Sequence, residues 1–236
     1  AARIGAQRRN DRKALRAQGP GQPGEGHDIV VVDPPEGRLR SRLADGGAER
    51  AEGVTDQAHG LAGGRQVAEI DPVLDQLARD LRMLNERGLT LRYILETHVP
   101  IDHITSSGRL RELKKAAVLV PEGYGSKNPD VLLRDNDRIP LGNGRIHVIS
   151  TPGHSQYAVS YYIPGAVFTG DTLFVGNAGR TDRKGGSLDR LIHSIDKKLM
   201  GLADGTRIWP GHDYGSTPNS TIAREKLSNP FMQFSG

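Results

Sequence analysis

Six side chains in four short loops are of the types that bind metal ions. The stretch ETHVPIDH, residues 96 to 103, carries His98, Asp102 and His103; TPGH ends on His154, FTGD on Asp171, and WPGHD contains His212. Each loop follows strand-like text. Imidazole and carboxylate donors gathered from the ends of several strands suit Zn, Fe or Mn. The chain has no cysteine, so thiolate ligands, thiolate nucleophiles and disulfides are excluded, and any metal must sit on His and carboxylates. A single His beside Gly or Pro is more often a turn residue than a ligand, so the signal lies in the repetition. The other histidines read differently. His147 alternates with Ile146 and Val148 and faces away from a core, His193 lies off the apolar face of a helix, and His27 and His59 fall in irregular text.

The elements that must hold these loops can be read from periodicity. DPVLDQLARDLRMLNERG spaces Val73, Leu74, Leu77, Leu81 and Leu84 as one face of a helix, with Pro72 near its start and Gly88 at the cap position. LRYIL is a short apolar strand that ends on ETHVPIDH, and ITSSGRLRELKK is a second helix. This is the strand, loop, helix order of an α/β unit. AAVLVPEG reads as a strand, DRIPLGNGRIHVIS as a hairpin around Gly142 to Gly144, and VSYYIPGAVFTGD as a hairpin turning at Pro164 and Gly165. SLDRLIHSIDKKL, with Leu188, Leu191, Ile192, Ile195 and Leu199 on one face and Ser187 as N-cap, is a helix. RIWPGHDYG returns as a strand and loop, and STIAREKLSNPFM as a short helix ending near Asn229 and Pro230.

Residues 1–64 are of another kind. They are rich in Gly, Ala, Arg, Asp and Pro, and the first aromatic residue of the chain is Tyr93. One short apolar run, Ile29 to Val32, has strand character. Such text cannot bury much surface, and we expect an irregular low-complexity leader, 1–64, before a domain spanning 65–236. The net charge of +4 comes with ten arginines in the first 65 residues, without interleaved aromatics or a recognisable binding motif, so no nucleic-acid partner is expected. The chain opens without Met. It shows no apolar signal segment and no membrane-spanning run, which leads to the expectation of a cytoplasmic protein with no membrane partner.

THVPIDH, TPGHS, FTGDTLF, GRTD and PGHDYG, in this order and spacing, resemble the metallo-β-lactamase fold superfamily, whose first motif is usually T-H-x-H-x-D-H. The match covers roughly Val67 to Gly236. Within it, IDPVLDQ, ETHVPIDHITSSGRLREL, GRTD and HDYG look most like the persulfide dioxygenases, with the glyoxalase II type hydrolases close behind. The resemblance implies an α/β fold, an αββα sandwich of two mixed sheets covered by helices. The first hairpins of that fold should precede IDPVLDQ, where this chain has low-complexity text. The N-terminal part of the first sheet is therefore expected to be missing or poorly formed.

Pro100 stands where the motif's second His belongs. In the two-metal hydrolases that the chain resembles, one site takes the H-x-H pair and the TPGH histidine. The other takes Asp102, His103 and His212, with Asp171 bridging. Proline offers no donor atom and fixes its own φ, which damages the first of these sites. The persulfide dioxygenases hold one iron on positions that correspond to His98, His154 and Asp171, all present. The resemblance therefore implies Fe(II) on these three residues, with glutathione persulfide oxidised to sulfite and glutathione. Asp102 and His103, the candidate catalytic groups, would orient ligands and hold water together with His212. Arg180 in GRTD would bind a carboxylate of the tripeptide or brace its loop, and Tyr214 would bring a phenol near the metal or pack. The alternatives are a Zn hydrolase of glutathione thioesters working from Asp102, His103, His212 and Asp171, and a catalytically silent member. The resemblance allows a homodimer.

Overall fold

The structure is a computed structural model that describes the backbone of residues 28–32 and 39–40, together with residues 65–125 and 128–233. The first of two six-stranded sheets consists of β1 (Asp28–Val32), β2 (Leu39–Arg40), β3 (Arg65–Ile70), β4 (Leu89–Leu95), β5 (Ala117–Pro121) and β6 (Val131–Leu133), in the order 2-1-3-4-5-6. From β3 to β6 neighbouring strands are parallel, whereas β1 is antiparallel to both β2 and β3. The second sheet contains β7 (Arg138–Leu141), β8 (Gly144–Ser150), β9 (Val159–Ile163) and β10 (Ala166–Gly170). After a small hairpin, β11 (Leu173–Phe174) and β12 (Asn177–Ala178), the chain returns to it with β13 (Arg207–Pro210) and β14 (Ser220–Thr221), in the order 14-13-10-9-8-7.

Parallel strands must be covered on both faces, and here alternate residues divide between two cores. Ala68, Ile70, Leu95 and Leu119 point at the second sheet and meet Ile146, Tyr161, Phe168 and Trp209. Val67, Leu91, Ile94, Val118 and Val120 point outward, under the helices α1 (Leu77–Glu86) and α2 (Ser107–Lys114). On the far face of the second sheet, Val167 and Ile208 are covered by α3 (Leu188–Ser194) and α4 (Ile222–Ser228) through Leu191, Ile195 and Ile222. The layers are helix, sheet, sheet, helix, as the sequence led us to expect.

Four details differ from the sequence reading. The first sheet is not cut short at β3, because Asp28–Val32 and Leu39–Arg40 extend it. The apolar run at Ile29 to Val32 was their one signal. The remainder of residues 1–64, with His27 and His59, lies outside the described residues, and so does most of the proposed leader. The first helix starts later than Pro72 suggests, with a 3₁₀ turn at Leu74–Gln76 before α1, and α3 is continued by a π turn at Ile195–Leu199. The apolar stripe of α1 is also rotated. Leu84 is fully buried, but Leu74 is 37% exposed and Asp80 takes an inward place.

Asp80 faces Glu69 of β3, itself wholly buried, with neither Glu69 carboxylate oxygen hydrogen-bonded. Burial, and then the Asp80 charge, hold Glu69 well above the usual carboxylate range. A raised folded pKa means stability that is complete below the unfolded value of about 4.5 and is lost as pH rises through the folded value. Glu69→Leu should therefore raise the melting temperature, by a gain worth about 1–3 kcal/mol that is larger at pH 8 than at pH 5. Melting curves at the two pH values check this; an equal or lower Tm at pH 8 would contradict it. No helix among the described residues is long and apolar enough to cross a membrane.

Candidate metal centre

Strand direction brings the loops together. β8 and β10 are both antiparallel to β9 and so run the same way, and β13 is parallel to β10. The residues that follow these strands, His154, Asp171 and His212, therefore emerge on one edge of the second sheet. β4 ends at the same edge, joined by the Val159 N–H to the Thr97 carbonyl at 2.9 Å, and delivers His98.

The ring nitrogens of His98 and His154 are sorted by their neighbours. Thr97 Oγ1 donates its single hydrogen to Asp71 Oδ2 at 2.7 Å, and the Thr97 N–H donates to Asp71 Oδ1 at 2.7 Å. The same hydroxyl oxygen lies 2.8 Å from His98 Nδ1, so it can only accept there. His98 thus carries its proton on Nδ1 and presents a lone pair on Nε2. His154 Nδ1 lies 2.9 Å from the Arg180 carbonyl, which also only accepts, and the same tautomer follows. Burial holds His154 below the usual imidazole range, against the attraction of Asp171, and so favours the neutral ligand form.

Both Nε2 atoms face one carboxylate oxygen. Asp171 Oδ2 is 3.9 Å from His98 Nε2 and 3.6 Å from His154 Nε2, too far for hydrogen bonds, and the two rings meet edge-on with centroids 5.1 Å apart. Donor atoms each about 2.0–2.2 Å from a shared ion stand about 3–3.6 Å apart, so a small inward shift of these side chains would bring all three onto one ion. Among the described residues, His98, His154 and Asp171 are the one group of three His or carboxylate side chains whose ligand atoms all lie within 4.8 Å of one another. Burial opposes the charge on Asp171, but His212, His98 and His154 together outweigh it and hold the carboxyl below its usual range, ionised. Backbone also crowds this carboxylate: a Cβ on Gly179 would run into the Asp171 carbonyl, and one on Gly211 would stand 2.7 Å from Asp171 Oδ1.

The other three candidates are differently arranged. His212 Nε2 lies 3.0 Å from Asp102 Oδ2 and 3.5 Å from Asp171 Oδ1. Burial alone would lower its pKa; the two carboxylates outweigh burial and lift it to about 10. His103 and then His212 hold Asp102 far below the carboxylate range. His103 Nδ1 is 3.2 Å from Asp102 Oδ1, an ion-pair distance without hydrogen-bond alignment. These side chains thus pair with one another, with Asp102 as the hub. Pro100 lies half-buried in the same loop. The small pocket at the centre is lined by Asp71, Val73, His98, His103, Asp171, Gly211 and His212.

Arg180 and Tyr214 stand at the rim. The Arg180 guanidinium makes two bonds to Asp182, at 2.7 and 2.8 Å, and it is the backbone carbonyl of Arg180 that reaches the centre. Tyr214 stacks on His212 with centroids 5.0 Å apart and an angle of 11°, and Phe174 meets both rings edge-on. Sequence reasoning missed Asp71, Thr97 and the Arg180 carbonyl. Asp71, an acidic residue just after strand-like text, carried the only available signal; in the structure its φ is left-handed, at 49°. Also missed was Glu96, buried and lifted to about 8 by burial and by Asp71 while it accepts from the Thr105 and Ser107 hydroxyls.

The profile of the metallo-beta-lactamase superfamily matches residues 126–212. The chain is 35% identical over 173 residues to the mitochondrial persulfide dioxygenase ETHE1 of Bos taurus, covering 72% of this chain and 68% of that one. The chain belongs to the metallo-beta-lactamase superfamily. Within this superfamily it also matches a hydroxyacylglutathione hydrolase of Brucella ovis, 38% identical over 135 residues, 56% of this chain and about half (51%) of that protein. The crystal structure of ETHE1 from Myxococcus xanthus superimposes with a TM-score of 0.68 at 42% identity, covering 70% of this chain and 73% of that one. These relatives are named as enzymes, and the superfamily's fold binds metal ions.

If Thr97 sets the His98 tautomer, Thr97→Val keeps the shape and frees Nδ1. Metal affinity should fall about 10- to 100-fold while the fold persists. Titration of the metal-free protein with Co(II) checks this, and an unchanged dissociation constant would show that the hydroxyl does not orient the ring.

Proposed function

We propose that the protein is an iron-dependent persulfide dioxygenase that converts glutathione persulfide, O₂ and water into glutathione, sulfite and two protons. One observation carries the reading: His98, His154 and Asp171 form a complete set of three converging donors, whereas the remaining candidates pair around Asp102 and Pro100 withholds a fourth imidazole. Two imidazoles and a carboxylate on one face of Fe(II) leave positions open for O₂ and a sulfur group, which is the chemistry that the ion would supply. The buried, ionised Asp171 and the two inward-facing Nε2 atoms fit that ion, and the hydrogen bonds on both Nδ1 atoms keep the Nε2 lone pairs aimed inward.

The chain's own groups do the rest. Asp102, bound to His212, holds a proton at His212 Nε2 between two carboxylates beside the pocket. His103 walls the site with a ring that is only 10% exposed. Tyr214 shields the open face of His212, and Val73 excludes water from one side of the pocket. Arg180 at the rim exchanges Asp182 for a carboxylate of the tripeptide.

The similarity to the Brucella hydrolase supports a second reading, in which Zn on Asp102, His103, His212 and Asp171 cleaves a glutathione thioester. An oxygen electrode with glutathione persulfide, sulfite detection, and a parallel assay of S-lactoylglutathione cleavage separate the two. Oxygen uptake matched by sulfite is the expected result. Thioester cleavage without oxygen uptake would overturn the first reading.

A further inference from the structure

The chain between Asp171 and Arg180 is a strap that joins two candidate ligands. It leaves Asp171, turns through the β11–β12 hairpin, and returns Gly179 against the Asp171 carbonyl and the Arg180 carbonyl against His154 Nδ1. On its way it lays Phe174 against His212. Two residues per strand cannot hold such a hairpin in place by themselves.

Two side chains of the C-terminal segment hold it. Glu225 Oε2, on α4, accepts from the Gly176 N–H at 2.7 Å and from Asn229 Nδ2 at 2.8 Å. Asn229 Nδ2 also lies 3.2 Å from the Phe174 carbonyl and 3.0 Å from the Asn177 carbonyl, so its two hydrogens are shared among three acceptors. Three backbone groups at the hairpin's turn are thereby fixed by two fully buried polar residues, neither of which is hydrogen-bonded to His98, His154 or Asp171. Burial makes the arrangement strict, because a hairpin displaced by one ångström would leave buried donors and acceptors unpaired.

We infer that Glu225 and Asn229 are positioning residues of the metal centre, which they serve through the hairpin. They set where the Arg180 carbonyl meets His154, and so which nitrogen of that ring offers a lone pair. With the clamp released, the carbonyl drifts from Nδ1, the proton is no longer confined there, and the ligand set loses its preparation. The inference rests on the reading of His98, His154 and Asp171 as a metal centre.

The test is Co(II) titration of the metal-free full-length chain, following the visible d–d bands and the dissociation constant, with thermal melting of each metal-free protein. Glu225→Ala and Asn229→Ala should weaken Co(II) binding by roughly 10- to 100-fold and shift the bands. Glu225→Gln, whose amide oxygen can accept both hydrogen bonds, should bind within about three-fold of wild type. Leu84→Ala, under α1 and far from the hairpin, lowers the melting temperature through a cavity and should leave affinity and bands unchanged. If both alanine variants bind Co(II) like the wild type, or if Leu84→Ala weakens binding as much as they do, the clamp is merely structural and the inference falls. A wild-type protein that binds no Co(II) would instead refute the metal centre itself.

Discussion

Asp171→Asn is expected to remove the bound metal and lower turnover by at least about a hundred-fold, with a fold that still unfolds cooperatively. Asp171 stands at the end of β10, where Oδ2 is the one atom faced by both His98 Nε2 and His154 Nε2. Its Oδ1 has no aligned hydrogen bond, so the side chain contributes little to holding the strands together. The amide has almost the same shape but no charge, and it turns either an NH₂ group with no lone pair to offer or a weak neutral oxygen toward the ion. The effect should therefore appear in metal content before stability. Elemental analysis of the purified variant, with circular dichroism and melting, checks this. Wild-type metal content and turnover would place the site elsewhere.

Pro100→His separates the two enzymatic readings. If the work is done on His98, His154 and Asp171, a new imidazole two residues beyond His98 adds a side chain beside a finished set. Persulfide-dependent oxygen uptake then stays the same or falls. The wider φ range of histidine and its backbone N–H also loosen a loop that the proline constrains, which again argues against a gain. If the chain is a damaged hydrolase, the same change restores the missing ligand of the first site, and zinc stoichiometry and thioester cleavage rise by about 10- to 100-fold. Both assays on both proteins decide the matter. A rise in thioester cleavage with no oxygen uptake in either form would end the dioxygenase reading, and silence in all four measurements would support a member without catalysis.

The parts of this structure that are legible in the sequence are those governed by local rules. Apolar spacing from Leu188 to Leu199 and the Ser187 cap foretell α3, and the Ser187 hydroxyl does accept from the Arg190 N–H at 3.3 Å. Gly88, with φ of +60°, takes the left-handed position after α1 that its place in the text suggests. Alternation in β8 turns His147 away from Ile146 and Val148, and it meets Tyr162 on the outer face. The ligand candidates are legible because side-chain chemistry at strand ends leaves a mark in the letters.

What supports those ligands leaves almost none. The Arg180 carbonyl orients His154, yet a carbonyl belongs to every residue, and the attention drawn by the guanidinium points outward, to Asp182. Thr97 becomes the partner of His98 only because β3 lies beside β4 and places Asp71 under it, a contact across 26 positions. The inward Asp80 is hidden for a similar reason: a helix stripe predicts apolar burial, and only the sheet beneath supplies Glu69. The pairing of Asp102 with His212 likewise depends on two sheets meeting at one edge, so spacing alone left these residues open between metal ligands and supporting groups.

The most direct test of the central claim is the metal content of the full-length protein produced in medium containing both iron and zinc. Three converging donors predict about one metal ion per chain, and the dioxygenase reading requires that ion to be iron in protein that consumes oxygen with glutathione persulfide. About two zincs per chain would contradict that account, since the second would have to draw Asp102, His103 and His212 out of their mutual pairing; a protein with no bound metal would contradict it as well.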